Sequence, residues 1–171
     1  MLRILNKIRK TGIVTEPVAR DRPLDQLGFK LKRLVDRRMR GSFAIREVDA
    51  GSCNGCELEV HALNNPFYDV ERFGVHFVAS PRHADALLVT GPVSRHMAAA
   101  LKRTYAATPA PKWVIAMGDC AVDGGEFGHC YATLGGVEQI LPVDLVIPGC
   151  PPTPTALLQG LLALLQTQDG S

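Results

Sequence analysis

The sequence predicts a three-layer α/β domain with a mostly parallel sheet, preceded by a basic N-terminal arm and an amphipathic helix. Three observations carry this reading. Short apolar runs alternate with segments of helical periodicity, which is the pattern of βαβ units. Glycine- or proline-marked turns follow the runs, where the functional loops of a parallel sheet lie. Charge is unevenly divided: residues 1–46 hold 13 of the 19 Lys and Arg against 4 acidic residues, or +9, while residues 47–171 hold 6 against 13, or −7.

Met1 to Asp21 lacks sustained periodicity and reads as an extended arm. Over Leu24–Arg40 the apolar residues Leu24, Leu27, Leu31, Leu34 and Val35 recur at helical spacing among mostly charged positions. Pro23 suits the start of that helix and Gly41 its end. Its basic, amphipathic character suggests that it docks on a partner, so the chain divides into residues 1–41 and an α/β domain at 42–171. Phe43–Val48 reads as the first strand and Glu57–Asn64 as a helix. Val75–Ala79 and Ala86–Thr90 are the next strands, and Val93–Ala107 a helix that Pro109 and Pro111 end. Trp113–Met117 and Val143–Ile147 complete the strands, and Thr155–Gln166 is the final apolar helix.

The chain has 171 residues, 46% of them hydrophobic and 21% charged, which suits one domain with its own core. No continuous apolar run resembles a secretory signal or approaches the roughly 18 residues of a membrane span. Five cysteines, an odd number in a chain able to build a core, read as thiols of a reducing compartment rather than a disulfide framework.

Four of the cysteines fall in loops after strands. Cys53 and Cys56 form a C-x-x-C pair on a strand-to-helix turn, with Gly55 letting the backbone come close to whatever the thiolates bind. Cys120 sits in Gly118-Asp119-Cys120 and Cys150 in Pro148-Gly149-Cys150-Pro151-Pro152. Such turns fix backbone direction and leave a thiol pointing outward. Four thiolates suit a [4Fe–4S] cluster, one per iron. Zinc bound by the same four cysteines is the chief competitor, although structural zinc sites are usually built from two close pairs. Cys130 can replace Cys120, and its bland role, packing as a small hydrophobe, is the one favoured. The histidines lack metal-site spacing. Gly118–Gly128 lacks both G-x-G-x-x-G and G-x-x-x-x-G-K-[ST], so it is not read as a nucleotide loop. The basic helix lacks aromatic interleaving or a known motif, so nucleic acid is not an expected partner.

The stretch Val48-Asp49-Ala50-Gly51-Ser52-Cys53-Asn54-Gly55-Cys56-Glu57-Leu58-Glu59 resembles the cluster motif of small subunits of membrane-associated (group 4) [NiFe] hydrogenases of the formate hydrogenlyase and CO-induced type. These are relatives of the 20 kDa, cluster-bearing subunit of respiratory complex I. The resemblance continues through Asp69–Gly74, Ser80–Asp85, Val89–Val93, Gly118–Ala121, Pro142–Asp144 and Ile147–Pro154. It implies a flavodoxin-like domain carrying one [4Fe–4S] cluster on Cys53, Cys56, Cys120 and Cys150, next to the nickel–iron centre of a large subunit. Implied partners are that large subunit, a ferredoxin-like iron–sulfur subunit and integral membrane subunits. The implied location is the cytoplasmic face of the cell membrane, peripheral and within a complex. In complex I the corresponding subunit forms the quinone site with its neighbour. The separated Cys53 and Cys56, and Thr153 where that branch typically has arginine, favour the hydrogenase branch. A zinc-stabilised scaffold stays as the reading from another class.

The resemblance also suggests residues that tune the cluster. Glu57 either tunes it by charge or only complements a helix dipole. Arg72 and Arg82 are candidates for an arginine near the cluster, and His83 adjoins the second.

Overall fold

The computed structural model describes residues 2–12 and 22–167. Five strands form one sheet: β1 (Phe43–Asp49), β2 (Val75–Phe77), β3 (Ala86–Thr90), β4 (Trp113–Met117) and β5 (Leu145–Ile147). Their order is β2-β1-β3-β4-β5, and every pairing is parallel. This is the flavodoxin-like order, whose topological switch lies between β1 and β3. The central strands show why. β3 is buried at all five positions and β4 at four of five, as parallel strands covered on both faces must be.

The helices are α1 (Leu2–Thr11), α2 (Arg22–Arg38), α3 (Gly55–Leu63), α4 (Arg95–Ala107), α5 (Asp119–Asp123) and α6 (Pro154–Gln166). On one face of the sheet, Phe43, Ile45, Leu88, Ile115 and Met117 pack with Leu31 and Val35 of α2, Val60 and Leu63 of α3, and the leucines of α6. On the other, Val48, Leu87, Val89, Val114 and Ala116 pack with Leu101 of α4 and Ala121 of α5. The alternation along β1, β3 and β4 follows from the two-residue repeat of a strand. The result is the three-layer arrangement expected from the sequence.

Three aspartates extend the ladders by a shared device. The Asp85 N–H donates to the Ala44 carbonyl (2.8 Å) while its carboxylate accepts the Ala44 N–H (2.8 Å). Asp144 does the same with Val114, at 2.9 and 2.7 Å. Both stand at the amino ends of the strands. The third, Asp119, stands at the carboxyl end.

Two departures from expectation lie near the amino terminus. Leu2–Thr11 is a helix rather than an extended arm; most of the remaining arm, residues 13–21, falls outside the described residues. α2 does not keep its apolar side for a partner. Leu24, Leu31 and Val35 are buried in the chain's own core, and Arg72 bonds Asp25 from the adjoining 3-10 turn Val70–Phe73 (2.9 Å). Among the described residues no helix is long and apolar enough to cross a membrane.

Candidate functional site

Loops following β1, β3, β4 and β5 meet at the carboxyl edge of the sheet around a cavity of about 150 Å³. Its lining includes Cys53, Cys56, Cys120 and Cys150, together with Gly55, Gly91, Gly149 and Pro151. All four thiols are free; Cys56 is buried, Cys120 half-buried, and Cys53 and Cys150 exposed. The structure thus brings together the four cysteines singled out from the sequence. Cys130 is not among the lining residues.

The Cys53–Cys56 loop is held by its own side chains. The Asp49 carboxylate accepts the N–H groups of Gly51 (2.8 Å) and Ser52 (2.7 Å), closing the turn that leaves β1. Ser52 Oγ accepts the Asn54 N–H (3.0 Å) and donates to Glu57 (2.5 Å). Asn54 is left-handed (φ 72°), a conformation asparagine tolerates, and this turns the chain into α3. Glu57 is 7% exposed, and its other oxygen accepts from the hydroxyl of fully buried Thr90 at the end of β3. The carboxylate therefore ties the cysteine loop to the neighbouring strand, besides standing in the first turn of α3.

The other two loops hold each other. The Gly118 N–H donates to the Ile147 carbonyl (2.8 Å), and the Asp119 N–H to the Gly149 carbonyl (2.9 Å). The Asp119 carboxylate accepts the Gly149 N–H in return (2.7 Å). These three N–H groups fasten the Cys120 loop to the Cys150 loop. Gly118 is also a close approach. At φ 86° a Cβ there would stand 2.7 Å from Cys56 Sγ. At Gly91 (φ 72°) it would stand 2.4 Å from the Ser52 nitrogen.

Burial sets the protonation of two of the thiols. Burial pushes Cys56 up to about 12, helped by the charge of Glu57 and by Cys53, Cys120 and Cys150. Burial, then Cys150 and Cys53, push Cys120 the same way. A positive centre would offset the burial that opposes ionisation of Cys56 and Cys120. Among the described residues no three His, Cys, Asp or Glu side chains converge closely enough to hold a metal ion as they stand. The thiols ring a cavity instead of meeting at a point, which suits a polyatomic group better than a bare ion. Cys130 is of another kind. Hydrogen bonding with Thr133 Oγ1 (3.2 Å) and with the Ala132 N–H (3.4 Å) lowers its pKa.

Arg72 and Arg82 do not line the cavity. Arg72 pairs with Asp25 and lies 4.5 Å over the Phe73 ring, on the α2 side. Arg82 is exposed in the 3-10 turn Pro81–His83, its N–H directed to Ser80 Oγ (3.4 Å), and His83 is exposed beside it. Sequence reasoning missed Ser52, Thr90 and the Asp119 carboxylate. The polar residues beside each cysteine were the only local sign.

A family model described as NADH ubiquinone oxidoreductase, 20 Kd subunit, matches residues 53–164, a span that contains all four cysteines of the cavity. The chain belongs to this family. It is 44% identical over 142 residues to formate hydrogenlyase subunit 7 of Escherichia coli, covering 83% of this chain and 56% of that protein. It thus spans little more than half of that relative's length. It is 50% identical over 119 residues to a probable membrane-bound hydrogenase subunit, mbhJ, of Pyrococcus furiosus, covering 70% of this chain and 71% of that one. Among solved structures, one chain of the membrane-bound sulfane sulfur reductase, an archaeal respiratory membrane complex, superposes with a TM-score of 0.69 at 33% identity. That match covers 81% of this chain and 77% of the other. An NAD⁺-reducing [NiFe]-hydrogenase chain, with a TM-score of 0.58 at 20% identity over 74% of this chain and 92% of its own, shares the fold.

Proposed function

We propose that this chain is the electron-transfer subunit of a membrane-associated [NiFe] hydrogenase of group 4. In this reading it holds one [4Fe–4S] cluster on Cys53, Cys56, Cys120 and Cys150, proximal to the nickel–iron centre of a large subunit. The observation that carries the reading is the convergence of four free thiols, from loops after three different strands, on one cavity. The donor set fits: four sulfurs, close-approach glycines at 91 and 118, and a lining without a competing histidine. Such a cluster supplies reversible one-electron transfer when bound.

The chain's own residues position and shield. Asp119 and Gly149 set the spacing of the two distant thiols, while Asp49, Ser52 and Glu57 set that of the close pair. The Glu57 carboxylate places a negative charge beside Cys56, which opposes added negative charge at the site and so favours the oxidised state. Exposed Cys53 and Cys150 mark the side on which a large subunit would cover the cavity. A ferredoxin-like iron–sulfur subunit and integral membrane subunits complete the proposed complex, at the cytoplasmic face of the cell membrane. Supporting this are relatives whose names describe a formate hydrogenlyase and a membrane-bound hydrogenase.

The likeness to a sulfane sulfur reductase chain favours a second reading. The same cluster-bearing subunit would then serve a complex with another terminal acceptor, a complex I-like quinone reductase included.

Anaerobic purification with co-purifying partners, iron and nickel analysis, and electron paramagnetic resonance of the reduced sample test both. Expected are a reduced [4Fe–4S] signal and nickel in the partner, with the signal lost in Cys150→Ala and kept in Cys130→Ala. A cluster without nickel moves the assignment to the second reading. Zinc in place of iron sinks both.

A further inference from the structure

One described helix buries nothing. All ten residues of α1 are exposed, including Leu2, Ile4, Leu5 and Ile8 at 58–77%. Leu2, Leu5 and Ile8 follow at intervals of three, with Ile4 four before Ile8, so the apolar residues gather toward one side. Arg3, Lys7 and Lys10 gather on another, Arg9 falls between Leu5 and Leu2 near one end of the apolar arc, and the helix contains no acidic residue. An isolated helix of this length is marginal in water, so an occupant that covers the apolar side stabilises it.

The occupant must offer a hydrocarbon interior beneath a negatively charged surface. Nucleic acid would pair with the cations and leave the leucines and isoleucines in water. A bilayer containing anionic lipid meets both needs, and α1 spans only about 15 Å, enough to lie within one leaflet and too little to cross it. Residues 22–167 carry 14 Lys and Arg against 14 Asp and Glu, so the attraction to an anionic surface comes from α1 and not from the net charge of the domain.

We propose that α1 lies in the headgroup region of an anionic bilayer, its apolar side toward the acyl chains, and so ties this chain directly to the membrane. The proposal deepens the membrane-associated part of the reading above and is independent of what fills the cavity.

Flotation of the full chain, prepared anaerobically, with vesicles of phosphatidylglycerol and phosphatidylcholine in about equal parts tests it. The expected result is flotation with these vesicles, weakened by salt and by their replacement with pure phosphatidylcholine. Lys7→Gln/Lys10→Gln should lower partitioning roughly 30-fold, at about a fivefold loss per charge. Leu5→Ser/Ile8→Ser should lower it at least about tenfold through lost apolar burial. Neither variant touches the core, since α1 buries no residue. Failure to float at low salt, or flotation unchanged in both variants, overturns the proposal and points to a groove on a protein partner. Absorbance of the iron–sulfur chromophore in the same fractions separates the two readings. Colour without flotation removes the membrane helix, and flotation without colour removes the cluster.

Discussion

The two edges of the sheet use one device for different ends. At the amino edge, Asp85 locks to Ala44 and Asp144 to Val114, each through a backbone bond and a carboxylate bond in return. At the carboxyl edge Asp119 locks to Gly149 in the same way, but here the locked segments carry Cys120 and Cys150. The amino-edge locks fix strand register alone. The carboxyl-edge lock fixes register and, through it, the separation of two cysteines that are 30 residues apart in the chain. A general means of finishing a β-ladder has become the frame of the cysteine-lined cavity.

Substitutions sharpen this comparison. The largest effect is expected at Gly118. Gly118 and Gly135 share a φ of +86°, but a Cβ at Gly118 falls 2.7 Å from Cys56 Sγ while one at Gly135 has nothing nearer than 3.8 Å. Backbone strain of about 1–3 kcal/mol is common to both. Gly118→Ala should therefore lose most of its iron, and Gly135→Ala should lose stability alone. Equal iron content in the two purified variants would show that the close approach is unimportant.

Next in size is the lock itself. Asp119→Ala and Asp85→Ala each remove a carboxylate that accepts a backbone N–H, at a cost of about 1–3 kcal/mol in urea unfolding. Only Asp119→Ala should also speed loss of iron to a chelator. Matching rates for the two variants would break the distinction between the edges.

The smallest effect concerns Glu47, on the face of β1 toward α3. Burial raises its pKa, followed by the charge of Glu57, against a lesser opposing effect of His61. A raised folded-state pKa means the fold favours the protonated acid, so its stabilisation is present at low pH and is lost as pH rises through the folded value. Glu47→Gln should raise the thermal midpoint slightly at neutral pH, and the gain should shrink as pH falls through the folded value toward 4.5, the ordinary value for this acid, and change no further below it. A gain constant with pH would assign the effect to packing.

Legibility in the sequence followed the range of the forces. Ala86–Thr90 and Trp113–Met117 stand as read, because a continuous apolar run reports burial on both faces at each position. Val75–Phe77 and Leu145–Ile147 are shorter than read, being edge strands with a single neighbour to define their length. The cysteines were visible because turn residues surround them. Thr90 was not, since its role depends on Glu57, 33 residues earlier, and a threonine ending a strand is ordinary. The α2 cations suggested a surface for a partner, yet its apolar side was already matched by α6. In α1 the apolar spacing was present, but over ten residues with basic interruptions it did not stand out from an irregular arm.

The order of the strands also bears on how the protein is made. Cys53 and Cys56 leave the ribosome early, but Cys150 takes its place only after β5 has been laid against β4, with α6 closing over that end. A nascent chain stopped before residue 145 has the close pair and no cavity. If the proposed cluster is bound, metal delivered during synthesis would meet two thiols and an open edge, so delivery to a finished sheet is favoured. A chain that misplaces its last strand also lacks Cys150 at the cavity, and under the proposed reading would fail to retain a cluster.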